Sequence, residues 1–272
     1  MKAAAYVLES AATTQAAARA LAEGGWNCKA IGGGQSLGAM INLRLAQPEV
    51  LIDLDGIAEL HGVQESSAAV TFGAMTTHAA VEDGRVPDPS NGLMPFVARG
   101  IAYRAVRNRG TMGGSLCHAD PAADWVSIMP LLGATLQVTG AAGGREIAAA
   151  DFMLAAFETR LAEGEVLTHI RVPRRSAGAR WSYRKFCRKT GEFAHALAAA
   201  LYDPADGTER LVLGALDGAP QVMARPGLMQ DIAGAGGRAA LISAAAPGLD
   251  PTRAAMLAEM LRLVAQDMET RA

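Results

Sequence analysis

The stretch Ile31-Gly32-Gly33-Gly34-Gln35-Ser36-Leu37 decides how the rest of the chain is read. An apolar approach leads into consecutive glycines, and a hydroxyl residue follows them. Glycine runs cost chain entropy on folding, so a sequence keeps them where φ > 0 is required or where a ligand must reach bare backbone. Backbone N–H groups uncovered by glycine, with a Ser or Thr hydroxyl beside them, form a concave nest that suits phosphate. A second stretch, Thr111-Met112-Gly113-Gly114-Ser115-Leu116, has the same grammar. Either stretch alone reads equally well as a tight turn. Two in one chain favour a dinucleotide.

Two common nucleotide folds fit poorly. A Rossmann fingerprint needs G-x-G-x-x-G after a strand and an acidic residue about 20 positions later. Asp53 satisfies the second condition, but Gly32, Gly34 and Gly38 miss the spacing by one position. No Walker lysine follows the glycines, which argues against an ATPase.

The 272 residues allow one large domain or two smaller ones. Half the residues are hydrophobic (50%), much of that alanine. No apolar run reaches the roughly 18 residues of a membrane span, so no membrane insertion is expected. A net charge of −2 with interspersed signs argues against nucleic acid as the main partner. The cluster from Arg171 to Lys189 is the local basic exception. Cys28, Cys117 and Cys187 are odd in number and far apart. They fit neither a disulfide framework nor an iron–sulfur or zinc ligand set. Met1-Lys2 and the alanines after it resemble a signal peptide, but Glu9 interrupts the run and Arg19 and Glu23 follow in a helical pattern. A mature chain in a reducing cytoplasm is expected.

Periodicity and turn residues give an α+β order. A strand near 5–8, a helix capped by Thr13 or Thr14, a strand from Cys28 to Ile31, a short helix from Leu37 and a strand from Val50 open the chain. A hairpin over 61–72 and a helix capped by Thr77 follow. Pro87, Pro89 and Asn91-Gly92 mark a loop that reads as a join between subdomains. After a helix from Met94, Pro121 is predicted to open another through Leu132, with Asp120 as its cap. A hairpin then turns around Gly143-Gly144. Strands over 166–172, 181–186, 195–202 and 210–216 precede three helices, which suggests a separate α+β unit from about residue 170.

The glycine stretches occur in longer company. Gly32 to Leu37 precede Asn42-Leu43-Arg44-Leu45. Arg107-Asn108-Arg109-Gly110 leads into Thr111 to Leu116, and His118-Ala119-Asp120-Pro121-Ala122-Ala123-Asp124 comes after. Glu165 to Pro173 and Tyr183-Arg184-Lys185-Phe186 complete the series. In this order and spacing the chain resembles the FAD-binding medium subunit of molybdenum hydroxylases, the xanthine dehydrogenase and carbon monoxide dehydrogenase group.

The resemblance implies an α+β fold: a two-subdomain FAD-binding module of the vanillyl-alcohol-oxidase (PCMH) type over 1–170, with subdomains of about 1–56 and 57–170. A smaller C-terminal α+β domain of the carbon monoxide dehydrogenase flavoprotein type would cover 171–272. It implies FAD as cofactor, with Ala30, Ile31, Gly32, Gly33, Gly34, Gln35, Ser36 and Leu37 around the pyrophosphate and Thr111, Gly113, Gly114 and Ser115 completing it. Asp124 would hydrogen-bond FAD, and Ile101, Leu167 and Lys185 would line the flavin region. Molybdopterin and 2Fe-2S clusters are expected on a large and a small partner subunit, in a dimer of heterotrimers. Electrons would pass from those clusters through FAD to NAD, a quinone or dioxygen. No catalytic residue and no metal ligand is assigned on this chain. The chain lacks the four-cysteine insertion of the 4-hydroxybenzoyl-CoA reductase branch.

The residues also have plainer readings. Asp124 in a helix first turn suits the helix dipole, and Lys185 suits a solvated strand edge. Asp120 reads as a cap, His118 as structural and Cys117 as a small buried apolar residue. The basic cluster is either a solvated face or a dock for an acidic partner subunit. An alternative function is a self-sufficient FAD-dependent oxidase or reductase of the same fold, which would need an acid–base pair over the flavin; none is identified.

Overall fold

The computed structural model describes residues 2–270. The chain opens with β1 (Val7–Ser10), α1 (Thr14–Gly24), β2 (Cys28–Ile31), α2 (Leu37–Asn42) and β3 (Val50–Asp53). These strands form a parallel sheet in the order β1-β3-β2. The Thr13 hydroxyl caps α1 by accepting from the Ala16 N–H at 3.2 Å, and Ala17 and Ala18 are buried against Cys28 and Ile52. Small residues on that helix face let it pack closely on the sheet.

Next come β4 (Val63–Glu65), β5 (Ala69–Gly73), α3 (His78–Glu82), α4 (Leu93–Arg99), α5 (Arg104–Arg109), α6 (Met112–His118) and α7 (Asp124–Leu132). They are followed by β6 (Thr135–Gly140), β7 (Gly143–Ala148), the short pair β8 (Met153–Ala155) and β9 (Glu158–Thr159), and β10 (Val166–Pro173). An antiparallel sheet in the order β4-β5-β10-β6-β7 results. Every residue of α7 is buried, so this helix, apolar nearly all round, runs through the main core rather than over it.

The last part comprises β11 (Arg180–Phe186), β12 (Ala196–Asp203), β13 (Thr208–Gly214), β14 (Gln221–Ala224), α8 (Leu228–Ala233), α9 (Ala235–Ala245) and α10 (Pro251–Thr270). Its four strands pair antiparallel in sequence order. Strand β12 shows why this sheet is a middle layer. Leu197, Ala199 and Leu201 point into the main core with Val212 and Tyr183, whereas Ala196, Ala198 and Ala200 face Leu257, Leu261 and Val264 of α10. A period of two with both faces buried is what a sheet covered on both sides demands.

Several expectations need correction. The loop at Pro87–Gly92 does not divide subdomains: the elements before and after it share one core. The change of sheet falls instead after β3. Strand β10 runs across residue 170, so the sheet changes again only after Pro173. Gly143 and Gly144 lie within β7, paired with Gly140 and Thr139, and the turn is Ala141-Ala142. Helix α7 begins at Asp124 with Ala123 at its cap position; Asp120 closes a local turn, its Oδ1 accepting from the Ala122 N–H at 2.9 Å. Strands β8, β9 and β14 have no counterpart among the predicted elements.

Candidate functional site

Strand β2 ends at Ile31, whose carbonyl accepts from the Leu54 N–H at 3.0 Å, and the chain leaves the carboxyl edge of the parallel sheet. Ligands of open α/β sheets bind at that edge. Gly34 has φ +69°, in the left-handed region that favours glycine. A Cβ on Gly33 would lie 1.9 Å from the Arg109 carbonyl oxygen, so only glycine fits there. The Gln35 side chain folds back to donate to the Gly33 carbonyl at 3.0 Å. Among the described residues, the backbone N–H groups of residues 32–37 donate to no protein acceptor. They form a row of free donors ahead of α2.

The second glycine stretch is different. It is not a loop but the first turn of α6, with Thr111 as its cap: Thr111 Oγ1 accepts from the Gly114 N–H at 3.0 Å. The Met112 N–H donates to Thr76 O at 2.9 Å, Gly113 N–H to Ala74 O at 2.9 Å and Ser115 N–H to Thr111 O at 3.0 Å. These donors are consumed within the protein, so the expectation of a second donor nest is corrected. Gly113 is required for a different reason, since its Cβ would lie 2.6 Å from that of Ala74. Gly114 is exposed and Ser115 half-buried, leaving surface and a hydroxyl for a ligand.

The two stretches meet. Gly32 comes within 3.5 Å of Thr111 Oγ1, measured from an added Cβ, and Gly33 seats on Arg109 and Gly110. Residues 74–78, unnoticed in the sequence apart from the Thr77 cap, form their common floor. Met75 Sδ lies 3.2 Å from the Cβ position of Gly32, Thr77 bridges Thr111, and the His78 N–H donates to Gly110 O at 2.9 Å. Arg107 anchors the approach to this junction: its guanidinium pairs with Glu82 at 2.7 Å and donates to the Ile101 and Ala102 carbonyls at 3.0 Å. That guanidinium holds the Glu82 carboxyl below its usual range.

Asp124 and Lys185, 61 residues apart, form one cluster. Lys185 Nζ lies 2.9 Å from Asp124 Oδ1 and donates also to Gly100 O at 3.0 Å, while the Tyr183 hydroxyl donates to the same carboxylate. Lys185 is therefore no solvated edge residue. Burial pushes the Asp124 carboxyl above its ordinary value, outweighing the pull of the Lys185 ammonium. Burial likewise pushes the Tyr183 phenol up, with the adjacent carboxylate adding to it. Tyr183 and Gly100 are members that sequence reasoning missed. The alternation of β11, which puts Tyr183 and Lys185 on one face, is a signal for Tyr183; Gly100, at the end of α4, has none.

Ile101 bridges Gly191 in the turn after β11 and is half-buried. Leu167 lies in the main core, 3% exposed, beside a bulge in β10. His118 ends α6 and stacks obliquely on Phe157 at 5.2 Å. Burial pushes the Cys117 thiol up to about 12, which makes it an inert apolar group. Most of the basic cluster is internally paired: Arg174 with Glu65, Arg175 with Asp206, Arg184 with Asp267, Lys185 with Asp124 and Arg188 with Glu192. Two clefts of about 410 and 370 Å³ lie elsewhere, one beside Asp120, Phe157 and Arg253, the other beside Thr14, Glu59 and His169.

Fold and site define a two-lobed α+β module with a glycine junction at the edge of its parallel sheet, followed by a helix-backed sheet that locks onto it through Lys185. Residues 4–175 match the family model described as the FAD binding domain in molybdopterin dehydrogenase, and the chain belongs to that family. It is 37% identical over 204 residues to the carbon monoxide dehydrogenase medium chain of Hydrogenophaga pseudoflava, covering 75% of this chain and 71% of that one. It is also 37% identical over 178 residues to the nicotine 6-hydroxylase medium subunit of Paenarthrobacter nicotinovorans, covering 65% of this chain and 62% of the relative. In structure it matches a chain of the Hydrogenophaga pseudoflava carbon monoxide dehydrogenase that lacks the Mo-pyranopterin moiety. The TM-score is 0.90 at 30% identity over 100% of both chains. Among the described residues no helix is long and apolar enough to cross a membrane.

Proposed function

We propose that the chain is the electron-transferring FAD subunit of a molybdenum hydroxylase complex. The observation that carries this reading is the row of unpaired backbone N–H groups over residues 32–37, set on the glycine junction. Neutral donors of this kind hold a pyrophosphate without a lysine. Gly32, Gly33, Gly34, Gln35, Ser36 and Leu37 would supply them, with Ala30 and Ile31 fixing the approach. Thr111, Gly113, Gly114 and Ser115 would close the junction from the α6 side.

FAD, when bound, supplies one-electron exchange with metal clusters and two-electron exchange with an acceptor. The chain's own work is to bind and orient it. Asp124 and Lys185, held at the seam between α7 and β11, would set the polar surroundings of the flavin end, with Ile101 as an apolar neighbour of the ring and Leu167 backing that region from the core. The clusters are assigned to partners, a large molybdopterin subunit and a small iron–sulfur subunit, because Cys28 lies in β2, Cys117 in α6 and Cys187 in the segment after β11. A dimer of heterotrimers and a cytoplasmic location complete the reading. The relatives, a medium chain of a dehydrogenase and a medium subunit of a hydroxylase, support it.

The test is purification of the native protein from its own cells, with subunit identification and an absorption spectrum. A flavin spectrum in a complex that also carries an iron–sulfur and a molybdopterin chain is expected. A lone, yellow, active chain would overturn the assignment in favour of a self-sufficient oxidase.

A further inference from the structure

His78 is the first residue of α3, 5% exposed, and touches the glycine junction in two ways. Its backbone N–H donates to Gly110 O at 2.9 Å. Its ring packs on the same glycine, with Cδ2 and Nε2 each 2.9 Å from where a Gly110 Cβ would stand. Gly110 and the preceding Arg109 carbonyl are the surface on which Gly33 seats. On its other side the imidazole is fixed: the fully buried Trp125 indole N–H donates to His78 Nδ1 at 3.0 Å. Nδ1 is thus an acceptor and the neutral ring carries its proton on Nε2, toward Gly110. Trp125 follows Asp124, the partner of Lys185, so one packed series joins the glycine junction to the C-terminal sheet.

We propose that His78 is a positioning residue that holds the two glycine stretches in register, its ring wedged between the Trp125 indole and the Gly110 backbone. The proposal rests on the pyrophosphate reading only for its consequence in FAD binding; the loop geometry stands without it. Asn and Leu separate the two contacts. Asn retains an acceptor for Trp125 at the position of Nδ1, whereas Leu removes the acceptor and keeps only part of the ring volume.

The experiment uses the full chain, first free of flavin and then loaded with FAD. In the flavin-free chain, His78→Leu is expected to speed amide exchange across residues 109–115 about tenfold, the equilibrium equivalent of one lost hydrogen bond. His78→Asn should fall between it and the parent. On loading, the FAD dissociation constant should rise in the same order, and the ³¹P resonances of bound FAD should move while the isoalloxazine absorption holds. A folded His78→Leu chain with unchanged exchange at 109–115 overturns the proposal. Faster exchange with unmoved ³¹P resonances and unchanged FAD affinity would support the role of His78 and sink the pyrophosphate assignment instead. If His78→Leu does not fold, the parent chain decides. The amides of His78, Met112 and Gly113 should open with one common free energy, and independent opening overturns the proposal.

Discussion

The Lys185 ammonium lies 2.9 Å from one oxygen of the Asp124 carboxylate and 3.2 Å from the other, with side-chain exposures of 10% and 6%. Both charges have left water, and each is hydrogen-bonded further, Lys185 to Gly100 and Asp124 to Tyr183. Such a pair is weak evidence of net stability, but removing one partner strands the other. Lys185→Met or Asp124→Asn should each cost about 3–5 kcal/mol. The double variant should cost clearly less than the sum, and a double-mutant cycle by urea unfolding reads the difference. The sign with pH is also fixed. A carboxyl raised by burial favours the folded state while protonated, and that contribution fades as pH rises through the raised value. In Lys185→Met, which lacks the opposing ammonium, the loss of stability should therefore grow with pH.

His78 pulls the other way. Burial, with the Arg107 charge adding, lowers it from its ordinary 6.5 to about 4. The unfolded chain binds the proton that the folded chain refuses, so stability is complete above about 6.5 and falls as pH drops toward 4. Each pKa unit is worth about 1.4 kcal/mol, so the full effect is about 3 kcal/mol. Arg107 is the charge that acts on the ring, and its guanidinium disfavours a second cation there, although its pairing with Glu82 offsets part of that field. Unfolding free energies measured between pH 7 and 4.5 should show this slope in the parent chain. In His78→Asn the slope should flatten.

Gly33 and Gly38 separate a glycine that is needed from one that is not. A Cβ at Gly33 would strike the Arg109 carbonyl at 1.9 Å, while one at Gly38 meets nothing within 4 Å. Gly33→Val should open the junction and abolish FAD retention, with the C-terminal sheet and its helices still folded. Gly38→Ala lies in α2 and should retain FAD while gaining up to about 1 kcal/mol from helix propensity. Flavin occupancy after gel filtration and thermal unfolding check both variants. Full occupancy in Gly33→Val would contradict the role assigned to the first stretch.

What the sequence disclosed follows the range of the forces involved. A cap at Thr13 or Thr14, which the structure places at Thr13, and one at Thr77 are legible because capping is set within three or four residues, and Cys28–Ile31 is legible as a strand leading into glycines. The Thr111 stretch misled for a related reason: a hydroxyl three positions before a glycine also caps a helix, and what decides is the tertiary acceptors Thr76 O and Ala74 O. Pro121 looked like a helix opener, yet the turn closed by Asp120 delays the helix to Asp124. The Asp124–Lys185 pair and the His78–Trp125 contact join residues 61 and 47 positions apart, where no local pattern reaches.

Ser127 offers a test of packing between α7 and the C-terminal sheet. It is fully buried in α7, and its Oγ has no hydrogen-bond partner among the described residues. It faces Gly214 at the end of β13, where an added Cβ would lie 2.3 Å from that oxygen. The hydroxyl thus carries a desolvation cost of about 1–3 kcal/mol that no bond offsets. Ser127→Ala should be stabilising by up to about 1 kcal/mol, since it removes the unpaired group and leaves too small a void to matter. Gly214→Ala alone should destabilise by about 1–3 kcal/mol through overpacking. Combined with Ser127→Ala it should recover most of that loss, because the space vacated by Oγ is where the new methyl must go. A thermal-unfolding cycle over the four proteins measures the coupling, and strictly additive effects would show that the two residues do not share that space.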